Sequence, residues 1–328
     1  MAVYSPSGSG NVHVDQVLTT ISIQWPIDSD FVGPVLFPSL RVQKQTDKYG
    51  IFDREMFKLE KHDVRAPGTY ANEIPGMTYS LDNYYANEHA LQIAITDEER
   101  QNADAPLTPD ADGAALVTQR ILLGREKAMK DLATNTANYA SGHSVSPIST
   151  AQWNDYVNST PIADFRTAIR TIHSKIFQEP NTVIIPWLVM STLEDHPDFI
   201  ERIKYSERGI LDADIIGSVI DIENVIVVSA GYSTAGTGVP VASSNTTYLW
   251  GKDVIVAYTP AGVGLRQIGF GYEFVWGING LEAVVDRWRE EPRVSDVIRY
   301  RRRYDIKLVG HEGDNLLITA YLIKGAIL

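Results

Sequence analysis

The chain has 328 residues, and 29 Lys and Arg against 41 Asp and Glu leave a formal charge of −12. Its 44 % apolar and 9 % aromatic content is enough to bury a core, which excludes global disorder, and so acidic a balance excludes wrapping nucleic acid around a basic surface. There is no cysteine, so disulfides, thiolate metal sites and cysteine nucleophiles are excluded together.

The first residues lack the basic and apolar regions of a secretory signal. The most continuous apolar run, Val183 to Met190, is far short of a membrane span. A soluble, non-secreted chain of about two domains is expected, with no membrane partner.

Residues 1–40 contain no Lys or Arg, and short apolar stretches around Val17–Leu18 and Ile21–Trp25 are broken by Pro26, Pro34 and Pro38. Such an arm must be ordered by contacts elsewhere, in its own fold or in a neighbouring subunit. From Arg41 to about Ile95 the chain is charged and extended. Tyr49, Phe52, Phe57, Tyr79, Tyr84 and Tyr85 flank Pro-Gly turns at Pro67-Gly68 and Pro75-Gly76. This predicts a long polar β-hairpin, too poor in apolar residues to fold alone.

Thr96-Asp97-Glu98-Glu99 fits a capping box. After the linker Ala105 to Pro109, a helix is predicted from Asp112 to about Tyr139. Its apolar stripe is Val117, Ile121, Gly124, Ala128 and Leu132, with Arg120, Arg125, Lys127 and Lys130 on the rest of its surface. About 28 residues would make a rod of roughly 40 Å, a spine for sheets to pack on.

A second helix is predicted over Pro161 to Gln178, followed by a buried strand over Asn181 to Met190. Another capping box, Ser191-Thr192-Leu193-Glu194, opens a short helix. Ile220 to Ser229 and Val254 to Tyr258 read as strands around a Gly/Ser/Thr-rich loop over 231–244, which makes 180–280 a compact α/β unit.

In the last portion Ile298, Tyr300, Arg302, Tyr304, Ile306 and Leu308 occupy one face of a period-two pattern. Arg299, Arg301, Arg303, Asp305 and Lys307 occupy the other. A turn over 310–315 and a return strand from Leu316 to Ile323 predict a terminal hairpin.

Motifs for chemistry are sparse. The seven histidines show no pair at metal-ligand spacing. His196, in Glu194-Asp195-His196-Pro197-Asp198, reads as part of a helix opening. Gly142-His143-Ser144 lacks the second glycine of a nucleophile elbow. The glycines at 262, 264, 269, 271, 277 and 280 fit no phosphate loop. Asp110-x-Asp112-Gly113 lacks the later ligands of a calcium loop. The basic run Arg299–Lys307 has two readings, a strand on nucleic acid or an arginine comb paired with carboxylates within or between subunits. Asp305 and the acidic total favour the second.

The order of parts resembles the HK97-like major capsid proteins of tailed double-stranded DNA bacteriophages. So do local runs: Asn181-Thr182-Val183-Ile184-Ile185 with His196-Pro197-Asp198 and Glu201 to Tyr205; Ile220 to Val227 leading into Ala230-Gly231-Tyr232; Tyr248 to Asp253; and Gly269 to Trp276. The resemblance implies an α+β fold with an N-terminal arm at 1–40 and an extended E-loop at 41–95. It implies a peripheral domain at 96–179 and 281–328, holding the spine helix (about 112–139) and the terminal hairpin (about 298–323), and an axial domain at 180–280.

It further implies a structural protein of the virion, with no enzymatic activity and no cofactor. Pentamers and hexamers of the chain would close an icosahedral shell around double-stranded DNA, assembled in the host cytoplasm with scaffolding, portal and decoration proteins as further partners. Because the arm begins directly, a separate scaffold, or none, is expected. Candidate intersubunit contacts are Lys48, Arg54, Lys58, Lys61, Arg299, Arg301, Arg303 and Lys307. Lys48, Lys58 and Lys61 lie in the loop where some members crosslink, but no motif assigns that chemistry here. The competing readings are an encapsulin-like shell around cargo enzymes and a cytoplasmic hydrolase.

Overall fold

The structure, a computed structural model, describes residues 31–328 except 53–56, 60–62, 72, 75, 77–78, 105–106, 205–210, 237–238, 240, 242–244, 261, 263–266, 279–280 and 313–315. Most of the predicted arm therefore lies outside the described residues. In chain order, α1 (Gly33–Leu36) leads to β1 (Ser39–Val42), β2 (Thr46–Phe52), β3 (Tyr79–Tyr85), β4 (Asn87–Thr96) and α2 (Asp97–Asn102). The long helix α3 (Pro109–Ala133), β5 (Ser144–Val145) and α4 (Pro161–Ile176) precede β6 (Thr182–Pro186), α5 (Trp187–Glu194), α6 (Pro197–Ile203), α7 (Ala213–Ile220) and β7 (Asn224–Val228). A small hairpin, β8 (Gly231–Ser233) with β9 (Thr246–Tyr248), comes before β10 (Val254–Ala257), β11 (Gly271–Trp276), β12 (Ala283–Glu290) and β13 (Ser295–Leu308). β14 (His311–Glu312), β15 (Leu316–Leu317) and β16 (Ala320–Ile323) end the chain.

Two sheets share one helix. The first is built on β13, whose length lets it pair antiparallel with β12 and β11 and also with β4; β1 adds to β11 in parallel. The second has the order β5-β16-β10-β6-β7. Its central strands alternate strictly. Val183, Ile185, Val254, Val256 and Ile323 join one core with Trp153, Phe165, Ile172 and Phe199 under α4 to α7. Ile184, Ile255, Ala257 and Leu322 join the opposite core with Leu36, Phe37 and Trp250.

Helix α3 reaches both sheets. Near its start Val117 and Ile121 pack with Tyr300 and Ile93 of the first sheet, while at its end Met129 and Ala133 enter the second sheet's core.

Several boundaries differ from the sequence reading. The spine helix starts at Pro109, whose ring presets the helical φ, and it stops at Ala133, where Thr134 caps the Lys130 carbonyl. It is thus 25 residues long and ends before Tyr139. Its buried stripe is Gly113, Val117, Ile121, Arg125, Met129 and Ala133, a four-residue step, so Gly124, Ala128 and Leu132 are not its centre and Arg125 is not on its surface. The apolar run after Asn181 is a strand only to Pro186; Trp187 begins α5. Ser191 and Thr192 lie inside α5, bonding back to the Leu188 carbonyl, and do not open a helix. Residues 213–220 are helical until Asp221 turns the chain with φ +63°, which delays the strand to Asn224.

The terminal hairpin is not formed. β13 pairs with β12 just before it and with β11 and β4 further back, β15 turns back onto β14 and bridges Tyr139, and β16 crosses into the second sheet against β10 and β5. The alternation of β16, all four residues buried, suits a central strand and not the rim of a hairpin. Helix α4 packs on β16 and β10, so residues 161–176 and 320–323 also lie with the second sheet.

Gly271 sits where the two sheets' connections crowd: a Cβ there would lie 2.6 Å from the Lys307 carbonyl oxygen and the Phe37 ring. Gly271→Ala is expected to cost about 1–3 kcal/mol. Gly124, exposed in α3 with open space around it, gives the opposite sign, since Gly124→Ala is expected to add about 0.5–1 kcal/mol. Chemical denaturation of the two variants checks both.

Candidate assembly surface and its anchors

Two adjacent residues of α3 hold the surrounding elements. Glu126, 1 % exposed, accepts the backbone N–H of Val32 at 3.0 Å and of Gly33 at 2.9 Å, and the indole N–H of Trp250 at 3.0 Å. Its carboxylate thereby fixes the point where the N-terminal segment enters the fold. Three donors compensate the buried charge, yet burial outweighs them and raises the Glu126 pKa above its ordinary value.

Arg125 turns toward the first sheet. It forms a bidentate pair with Glu273 of β11, at 2.6 and 2.5 Å. Glu273 is fully buried and also accepts from Arg302 of β13 at 2.9 Å and from the Ser39 hydroxyl at 2.6 Å. Arg302 lies 3.5 Å from Glu282, and Glu282 3.0 Å from Arg41. Charges therefore alternate in sign from the core to the surface of β1, joining α3, β11, β13 and β1.

The projecting hairpin is β2–β3, with Thr46 opposite Tyr85 and Phe52 opposite Tyr79. Its base is held by aromatic packing: Tyr84 stacks on Phe274 at 4.7 Å and Tyr49 contacts the same ring at 5.1 Å. Asp305 accepts the Tyr85 N–H at 2.9 Å. Beyond the base, Leu59, Val64 and Tyr70 are 85, 88 and 99 % exposed. Phe57 touches Phe177 of α4 at 5.2 Å, but both rings stay largely in solvent.

The sequence-predicted basic residues fall into separate environments. Lys48 is exposed on β2 and Lys58 is exposed near the tip; Arg54 and Lys61 lie outside the described residues. Arg299 and Arg301 both reach Asp286 on β12, at 2.9 and 2.6 Å, and Arg303 reaches Glu88 on β4 at 2.7 Å. Lys307 stands 3.8 Å from Asp305. The comb is thus neutralised by strands of its own chain, through pairs placed directly opposite or diagonally across the ladder.

On the face toward α3, Asp296 collects Arg287 at 2.6 Å and Arg100 at 3.0 Å, while Asp97 holds Arg289 through two bonds. These clusters tie α2 and the start of α3 to β12 and β13. The period-two pattern places Arg302 on the face of Tyr300 and Tyr304, but nothing local in the sequence marks Glu273 as the carboxylate that neutralises it and Arg125.

The residues weighed for catalysis serve as caps. The His196 ring accepts the Asp198 N–H at 3.1 Å to open α6, and its other nitrogen meets the Ser159 hydroxyl at 2.9 Å. Asp112 accepts the Thr108 N–H. An open cleft of about 700 Å³ between β4, α2 and α3 is lined by Ile93, Ile95, Leu107 and Leu116. Of its three carboxylates, Glu98, Glu99 and Asp112, the last two are engaged in backbone caps. Among the described residues no group of His, Asp and Glu could hold a metal, and no helix is long and apolar enough to cross a membrane.

Compared with known proteins, the chain is 32 % identical over 254 residues to the major capsid protein of Burkholderia phage BcepMu, covering 77 % of this chain and 79 % of that protein. A solved phage-related protein of Bordetella bronchiseptica RB50 is similar at TM-score 0.68 and 24 % identity, with 97 % of this chain and 98 % of that one covered. The mature capsid of bacteriophage PhiM1 is similar at TM-score 0.58 and 10 % identity, with 98 % and 92 % covered. No family model matches the chain.

Removing one member of a buried pair strands its partner. Glu273→Gln leaves Arg125 and Arg302 facing each other and is expected to cost about 3–5 kcal/mol in denaturant unfolding. The pH dependence has two parts of opposite sign. Arginine hydrogen bonds, from Arg299 to Asp286, Arg287 to Asp296 and Arg289 to Asp97, hold those pKa values below 3.8. Their contribution is present above 3.8 and is lost as pH falls through the lowered values. Glu126, raised from 4.5, carries a penalty at neutral pH that is relieved as pH falls toward 4.5. The melting temperature is therefore expected to rise relative to Glu126→Gln between pH 7 and 4.5, and to fall for both proteins below 3.8.

Proposed function

This chain belongs to the major capsid protein family, with the HK97-like α+β fold of that family, and from that premise we propose how it builds a shell. Copies interlock as pentamers and hexamers of an icosahedral capsid around double-stranded DNA. The body made by the first sheet and α3 acts as the peripheral domain. The second sheet with α4 to α7 acts as the axial domain, and the β2–β3 hairpin as the E-loop laid on a neighbouring copy. Scaffolding, portal and decoration proteins are the partners this role calls for.

The observation that carries this reading is the hairpin's tip. A polar hairpin whose described packing is the aromatic base and one Phe57–Phe177 contact displays Leu59, Val64 and Tyr70 almost fully to solvent, and large apolar side chains left exposed together mark an interaction site. A neighbour that covered them would gain roughly 1.5–3 kcal/mol for each large apolar side chain, repeated at every copy of the contact.

Electron microscopy of the expressed protein tests the proposal: closed shells are expected, and a monomer at high concentration would overturn it. Nuclease-protected DNA inside particles from infected cells marks the capsid role, whereas a co-purifying enzyme would mark an encapsulin-like compartment instead. The paired substitution Leu59→Asp/Val64→Asp is expected to abolish shells while leaving the subunit's thermal unfolding within about 0.5 kcal/mol, as for surface changes that touch no core contact.

A further inference from the structure

Two long strands edge the first sheet, and they differ. β12 carries Asp286, Arg287, Arg289 and Glu290, charges that discourage a further strand. β4 pairs only with β13 among the described strands, in an unbroken register from Asn87 to Thr96, and it contains no proline or lysine.

The Asp97 N–H reaches the Val294 carbonyl at 3.1 Å. Antiparallel alternation from that bond turns the backbone N–H and C=O groups of the even-numbered residues away from β13. At the two ends of this outward row, the Ala86 N–H goes to the Gln45 carbonyl and the Thr96 N–H to the Glu99 carboxylate. Between them Glu88, Ala90, Gln92 and Ala94 are exposed and have no backbone partner on that side among the described residues.

The cleft between β4, α2 and α3 runs along the same edge. Leu91 shares the α3-facing side of β4 with Ile93, and Leu91, Leu107 and Leu116 stay 45, 43 and 42 % exposed. A free strand edge beside an apolar groove is where a sheet accepts an added strand. Ladder hydrogen bonds supply affinity, and alternate side chains enter the groove.

The chain carries a segment with that pattern. Val17, Thr19, Ile21, Ile23 and Trp25 alternate with Leu18, Thr20, Ser22 and Gln24, and no charged residue occurs from Gln16 to Ile27. These residues lie outside the described ones, but Glu126 fixes the chain where it enters, at Val32. The steps from Trp25 to Val32 span at most about 25 Å, and Leu116 lies about 15 Å along α3 from Glu126.

Gly113 of α3 sits against Ile95, and Ile93 lies by Val117 and Ile121. α3 and β4 therefore run in opposite directions, and the entry point is nearest the start of β4. A segment returning from it has Trp25 toward Glu88 and Val17 toward Ala94, antiparallel to β4. So short a tether holds the segment at about millimolar effective concentration, which favours the chain's own edge over that of a second copy.

We propose that residues 17–25 add to the free edge of β4 in the same chain, as an antiparallel strand of the first sheet, with Ile21, Ile23 and Trp25 in the cleft and Ser22 and Gln24 in solvent. The contact is internal to one chain, so it does not depend on the shell reading.

The full chain has no cysteine, so introduced pairs report on this contact without background. Gln92→Cys is combined in turn with Thr20→Cys, Ser22→Cys and Gln24→Cys, which puts both thiols on the solvent side. Oxidation is expected to give a reducible crosslink within one chain in at least one pairing. Gln92→Cys with Ile21→Cys or Ile23→Cys aims the thiols at opposite faces and is expected to give about tenfold less. Hydrogen exchange supplies a second measurement. The amides of Ala90, Gln92 and Ala94 are expected to be protected in the wild type. Ile21→Asp/Ile23→Asp, or Leu116→Asp from the cleft side, should speed their exchange at least about tenfold and leave the β10 amides unchanged.

Crosslinks between chains in place of those within one would overturn the same-chain assignment, as would β4 protection that appears only in assembled particles. Unprotected amides at 90, 92 and 94 in the wild type, or protection that these substitutions leave intact, would overturn the docking altogether. A chain that forms no shells gives the same crosslinks and exchange if the proposal holds, so its failure and that of the shell reading are told apart.

Discussion

Glu126 and Glu273 are carboxylates without water, and the arrangement of this protein follows from how they are satisfied. A buried acid is tolerable only where donors converge on it. Glu126 draws the backbone at residues 32–33 and the Trp250 indole onto α3, while Glu273 draws in Arg125, Arg302 and Ser39. Because Arg125 and Glu126 are neighbours about 100° apart around the helix, one turn of α3 binds the first sheet on one side and the entering chain and second core on another. Such a network is a weak source of net stability compared with apolar packing, but it is costly to rearrange. Its effect is to allow one relation between the two sheets.

Against this rigid body the β2–β3 hairpin is lightly held. Its base has the Phe274 aromatic cluster and the Asp305 bond, and among the described residues its outer part joins no core cluster. The contrast agrees with a building block whose body is finished within one chain and whose projections are finished by neighbours. The arginine comb of β13 belongs to the finished part: Asp286 and Glu88 already occupy it.

Much of the local structure is legible in the sequence. Thr96 and Glu99 form the reciprocal cap that their spacing suggests, and β13 alternates as its period-two pattern requires, with Tyr300 and Tyr304 inside. What fails is non-local. The partners of β13 all precede it, β12 across a short turn but β11 and β4 much further back, and β16 reads equally well as a hairpin return or as a central strand of another sheet. An apolar run such as 182–190 does not distinguish strand from buried helix by periodicity alone, and it contains both, divided at Pro186. Arg125 was legible only as a charge, while Arg302 shares the period-two face of Tyr300 and Tyr304 with no local sign of what would neutralise it. Their burial depends on Glu273, 148 and 29 residues away.

In the proposed shell of pentamers and hexamers, copies of one piece cannot all sit in identical settings, since angles between neighbours differ from place to place. A body locked through α3 and two buried carboxylates cannot flex to absorb those differences. What joins the hairpin to that body is slight by comparison: the aromatic ball of Tyr49, Tyr84 and Phe274 and the Asp305 bond to the Tyr85 N–H. In the proposed shell, differences of angle between neighbours would fall on this small contact before they reached the body.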